Sequence, residues 1–164
     1  MTGNATDRKQ QTEKTILVYG IGNPGRQDDA LGVLLAEKLE VWIRENQVQH
    51  VETDQNYQLN IEDADRIAGF DLVIFADASL KMIDNILLEK VEPDLRTDFS
   101  MHSVEPAFVV GLCQQMFNRH PLSYQLHIKG NSFEFMRPLT AEAKQNLELA
   151  FEKLTEIIIS NQAK

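Results

Sequence analysis

Residues 16–39 read ILVYGIGNPGRQDDALGVLLAEKL, and their reading decides the fold. The stretch opens with a short β-rich apolar run over 15–19 that halts in glycine, the pattern of a strand buried on both faces. A polar loop follows. From Asp28 or Asp29 the period changes: Leu31, Leu34, Leu35, Leu39 and Trp42 fall on one helical stripe. Strand, glycine turn and helix form the opening unit of a parallel α/β sheet. Gly20, Gly22 and Gly25 also spell G-x-G-x-x-G, the fingerprint of dinucleotide-binding domains. Two features oppose that reading. Pro24, Arg26 and Gln27 delay the helix, so the third glycine misses the point where helix and strand pack. Asp28 and Asp29 stand at the helix N-terminus, where a pyrophosphate would bind and would be repelled. The loop reads better as one that aims a carboxylate at something positive. Helix capping is the role expected of Asp28.

The rest of the chain repeats the alternation. Strands are expected at 48–53, 71–76, 85–91 and 124–129. Helices are expected over 60–68, capped by Asn60; over 106–118, opened by Pro106; and from Thr140, with Ala143, Leu147, Ala150, Phe151, Leu154 and Ile158 on one face. This predicts a three-layer α/β/α sandwich on a mainly parallel, about five-stranded sheet. Residues 1–14 are polar and read as a flexible tail, and 15–160 as a single domain.

Composition bounds the function. The chain has 164 residues, 43% hydrophobic and 25% charged, with a formal net charge of −9. A nucleic-acid or anionic-membrane surface needs concentrated Lys and Arg, so neither partner is expected. The single cysteine, Cys113, excludes an internal disulfide and a cysteine-based zinc finger. There is no apolar leader in the first fourteen residues and no apolar run near the ~20 residues that span a bilayer. A cytoplasmic location is the expectation.

Ligands of open parallel sheets bind beyond the C-terminal strand ends. Two separate strands deliver aspartates there: Asp29 after the first, and Asp77 at the end of 71–76. Of the four histidines, His50 precedes a strand, on the opposite edge. His127 is mid-strand and reads as a satisfied sheet residue, and His120 sits in a solvated turn. His102 lies in a loop before a helix, on the productive edge. Two carboxylates and an imidazole suit a borderline divalent ion such as nickel or zinc. Each also has a plain alternative, as helix cap, turn former and surface residue. Cys113 reads as inert core, and no G-x-S-x-G elbow occurs. Phe133, Phe135 and Met136 are expected in the core rather than in a peptide groove.

At residues 20–32, GIGNPGRQDDALG, the sequence resembles the hydrogenase maturation endopeptidases, whose opening motif is strand, G-x-G-N, short loop, acidic pair. Further matches follow in order: VIFADAS at 73–79, SMH at 100–102, IKGNSFEF at 128–135 and LTAEA at 139–143. The resemblance spans 15–154. It implies a peptidase that removes a C-terminal extension from the large subunit of a nickel–iron hydrogenase once nickel is inserted. By motif position it makes Asp29, Asp77 and His102 the residues that contact metal and carry catalysis. It implies that nickel arrives with the substrate, zinc or another divalent ion being able to substitute, and that a bound water attacks a metal-polarised carbonyl. The implied partner is the immature large subunit, met by a monomer. The acid-pair ligand is often Glu in that family and is Asp here; Ala30 stands for the commoner Gly; Ser103-Val-Glu-Pro follows the histidine instead of glycine–leucine. Two other functions remain open: a non-catalytic nickel-site chaperone for the large subunit, and a dinucleotide-binding domain.

Overall fold

Strand β1 (Ile16–Ile21) is buried along its whole length. A computed structural model describes residues 13–96 and 104–162, and in them β1 lies inside a five-stranded sheet. The chain continues through a 3₁₀ turn (Gln27–Ala30), α1 (Leu31–Glu45), β2 (Val51–Asn56), α2 (Asp63–Ala68), β3 (Leu72–Ser79), β4 (Ile86–Lys90), α3 (Pro106–Phe117), β5 (Leu122–Lys129) and α4 (Ala141–Gln162). Spatial order is β2-β1-β3-β5-β4, with β4 antiparallel to β5 and the other pairings parallel. This is the mainly parallel α/β architecture that the alternating pattern predicts.

Strand alternation splits the core in two. Ile16, Val18, Ile74, Leu126 and Ile128 face one way and pack under α1 and α4 with Leu31, Leu35, Leu39, Ala150 and Leu154. Leu17, Tyr19, Val73 and Phe75 face the other way, under α2 and α3, with Ile67, Val109, Val110 and Cys113. Trp42 on α1 meets Phe151 on α4 edge-on, ring centroids 6.4 Å apart. Because α1 and α2 cover opposite faces, the chain changes sides between β1 and β3. That junction is the switch point where such sheets hold ligands.

Several local readings shift. Strand β3 runs on to Ser79 instead of ending at residue 76, so Asp77 lies within it, and β5 begins at Leu122 rather than residue 124. The second strand begins at Val51 rather than residue 48, because Val48 still belongs to the turn closing α1, its N–H bonded to the Ile43 carbonyl at 3.0 Å. Asn60 does not cap α2 through its side chain; its backbone N–H donates to Asp63 Oδ2 at 2.7 Å. Thr140 does cap α4: its Oγ1 accepts the Ala143 N–H at 3.2 Å. Among the described residues no helix is long and apolar enough to cross a membrane.

Candidate functional site

Asp29 is placed by two glycines. Gly22 follows β1 at φ 145°, a conformation side chains rarely adopt, and a Cβ there would lie 1.9 Å from the Asp29 carbonyl oxygen. Gly32 lets the start of α1 rest on the sheet; a Cβ there would lie 2.2 Å from the Ala76 carbonyl and 2.3 Å from that of Ile21. Helix–strand contact is therefore made at Gly32, and Gly25, the third glycine of the fingerprint, has no such task. Asn23 ties the turn: its Oδ1 accepts the Gly25 N–H at 2.9 Å, and its own N–H donates to Asp29 Oδ2 at 3.3 Å. Neither Asp28 nor Asp29 makes a side-chain cap on the 3₁₀ turn or on α1.

Asp77 reaches the same place from β3, where it pairs with Ile21 of β1 on one side and His127 of β5 on the other. Burial pushes its carboxyl up to about 7; the charges of Asp29 and then Glu105 push the same way, against a lowering bond from the Ala78 N–H. Two half-buried carboxylates, Asp29 on the 3₁₀ turn and Asp77 on β3, thus act on each other electrostatically at the switch point. The Glu105 charge also reaches the site, and the sequence reading missed it. Its signal was its position beside Pro106, at the start of a helix on the productive edge.

Asp28, next in sequence, does something else. It is 0% exposed and accepts four hydrogen bonds, from the N–H groups of Asn131 (2.8 Å), Ser132 (3.2 Å) and Thr140 (2.8 Å) and from Thr140 Oγ1 (2.8 Å). Burial alone would raise its pKa; the bonds from Asn131, Thr140 and Ser132 outweigh it and hold the carboxyl below its ordinary value. The expected helix cap is instead a clamp on the segment between β5 and α4. Phe135 and Met136 of that segment are exposed, not in the core as expected, while Phe133 is half-buried.

The remaining candidates sort by position. His102 lies outside the described residues. His127 is buried on β5, its Nε2 2.9 Å from Glu89 Oε2 and 3.3 Å from Lys81 Nζ, a satisfied sheet residue as read. His50 and His120 are exposed away from the site. Cys113 is buried in the face under α2 and α3, and burial pushes its thiol up, away from the reactive thiolate. No group of three metal-ligating side chains gathers among the described residues. A confronting carboxylate pair supplies hard oxygen donors and has negative charge to be offset, which fits a cation and repels a phosphate.

No protein-family model matches the sequence, and no curated protein matches it significantly. Solved structures do. The [NiFe] hydrogenase maturation protease HycI from Thermococcus kodakarensis KOD1 superposes with a TM-score of 0.69 at 22% identity, over 90% of this chain and 94% of that one. The hydrogenase maturating endopeptidase HybD from E. coli gives 0.66 at 24% identity, over 89% and 93%. A hydrogenase 2 maturation peptidase from Thaumarchaeota archaeon SCGC_AB-539-E09 gives 0.64 at 17% identity, over 88% and 98%. The chain has the fold of these maturation proteases over nearly its full described length.

Proposed function

We propose that this chain is a maturation endopeptidase that removes the C-terminal extension of a nickel–iron hydrogenase large subunit, reading the inserted nickel through Asp29, Asp77 and His102. The observation that carries the proposal is the Asp29–Asp77 confrontation at the switch point of a sheet shared with maturation proteases. A nickel ion brought by the substrate supplies charge to offset that pair and polarises a neighbouring carbonyl.

The chain's own residues then have separable tasks. Asp29 and Asp77 hold negative charge at two fixed points, so a cation bound between them is oriented before any bond is cut. Asp77 is protonated below about pH 7 in the absence of a cation, so the pair is a cation reader chiefly above that pH. Gly22 and Gly32 keep Asp29 at the head of β1. Glu105 adds a third negative charge within electrostatic reach of Asp77. Cys113, buried and with its thiol pushed up, takes no part.

The test is to incubate the protein with a nickel-loaded precursor carrying its tail and weigh the large subunit by mass spectrometry. The expected result is loss of the tail with the wild type and none with Asp29→Asn, Asp77→Asn or His102→Ala. Full processing by Asp77→Asn overturns the reading. An unchanged mass in a stable complex with wild type would instead identify a chaperone.

A further inference from the structure

The segment between β5 and α4 holds two large apolar side chains out in water, Phe135 at 70% and Met136 at 91% exposure. Here the fold fixes them in place. Asp28 clamps both ends of the segment through Asn131, Ser132 and Thr140. Between those ends, the Met136 N–H donates to the Gly25 carbonyl at 3.0 Å and the Glu134 N–H to Gln27 Oε1 at 3.1 Å. Arg26 Nε donates to the Phe133 carbonyl at 3.1 Å, with its guanidinium 5.8 Å and 5.7 Å from the ring centroids of Phe133 and Phe135. Met136 itself sits at φ 57°, in the left-handed region that a methionine does not choose. All these anchors come from residues 25–28, the turn that carries Asp29.

Charge says what fits. The chain as a whole carries −9, yet this corner is not acidic on its surface. Asp28 is buried and fully bonded, and Glu134 is paired with Arg137 at 3.6 Å. Arg26 is exposed and has no carboxylate partner among the described residues. An apolar knob beside an unpaired guanidinium complements an apolar segment that carries a carboxylate.

We propose that Phe135 and Met136, with Arg26 beside them, dock an apolar, acid-bearing segment of the protein substrate and so bring its scissile bond to the Asp29–Asp77 pair. This rests on the peptidase reading above. The occupant is a polypeptide of the substrate, and the surface is separate from the groups that contact the metal.

The experiment measures the dissociation constant of nickel-loaded precursor large subunit for immobilised protein by interferometry, alongside processing by mass spectrometry. The Phe135→Ser/Met136→Ser double variant is expected to weaken binding by about tenfold or more, and Arg26→Glu by about threefold or more. Circular dichroism confirms that each variant is folded. Wild-type binding matched by both variants overturns the docking surface and leaves the peptidase reading standing. A wild type that neither binds nor cuts the precursor overturns both. A wild-type dimer in sedimentation that the double variant dissolves overturns the proposal differently, because the knob then belongs to a second copy of the chain.

Discussion

Asp28 and Asp29 are neighbours with opposite fates, and Asp77 contrasts with both. Asp29 and Asp77 could be singled out from sequence because each follows a buried apolar run, Asp29 in the 3₁₀ turn past β1 and Asp77 past the apolar residues of β3. The fate of Asp28 was not legible, since the donors that surround it lie 103 to 112 residues further along the chain. Their different environments give different pH behaviour. The folded-state pKa of Asp77 is raised from 3.8 to about 7, so between those values the native state holds a proton that the unfolded chain has released. Stability from this group is therefore present below pH ~4 and is lost as pH rises towards 7. A shift of that size corresponds to at most about 4 kcal/mol. Asp28 has the opposite sign: its stabilisation is present above its ordinary pKa and is lost in acid. Asp77→Asn is accordingly expected to melt above the wild type at pH 8 without metal, and to converge with it near pH 4. Calorimetry at the two pH values checks this. A variant less stable than wild type at pH 8 would show that the Asp77 carboxylate is compensated by something other than a cation.

At the scale of elements, the decisive contact is α1 on the β1–β3 junction. A helix can rest directly on two strands only where its residue lacks a side chain, and Gly32 provides that place: its absent Cβ would clash with the carbonyls of Ala76 and Ile21. The G-x-G-x-x-G spelling drew attention to Gly25, which the packing does not use; the working glycine lies seven residues later, inside the helix. Periodicity found α1 but could not reveal this, because a small residue on a helical stripe carries no sign of what it faces. Adding one methyl at a backbone contact has no flexible neighbour to displace, so Gly32→Ala is expected to cost about 3 kcal/mol or more by forcing α1 off the sheet. Because Asp29 rides on the turn leading into α1, processing should fall more steeply than stability alone predicts. Urea unfolding and precursor processing on the same variant, at a temperature where it is still folded, separate the two losses. Equal stability in variant and wild type would mean that the helix tolerates the shift. Strand boundaries were less legible than the strands themselves, at one edge and in the interior alike. The reading of β2 began three residues early because an edge strand of sequence VETDQN has one sparsely buried face and little pattern to locate it.

Over the whole molecule, the layered α/β architecture was readable because β1 and β3 are apolar runs and strands alternate with helices, whereas the order β2-β1-β3-β5-β4 and the antiparallel β4 were not. The position of the site follows from that order. A chain that places one helix on each face between β1 and β3 must leave a crevice there, and this one fills the crevice's edge with carboxylates. With a net charge of −9, the molecule's field adds to the local repulsion of Asp29 and Asp77 rather than relieving it. A divalent cation relieves both. Nickel chloride at ten times its dissociation constant should stabilise the protein at pH 8 by about 1.4 kcal/mol, or roughly 3–5 °C in melting temperature for a chain of this size. The increment should shrink in high sodium chloride, as the long-range part of the field is screened. It should vanish in the Asp29→Asn/Asp77→Asn double variant, whose metal-free form should itself be the more stable. A nickel shift of equal size in the double variant would place the ion elsewhere on the acidic surface. The crevice would then be a site that binds metal only as part of its protein substrate.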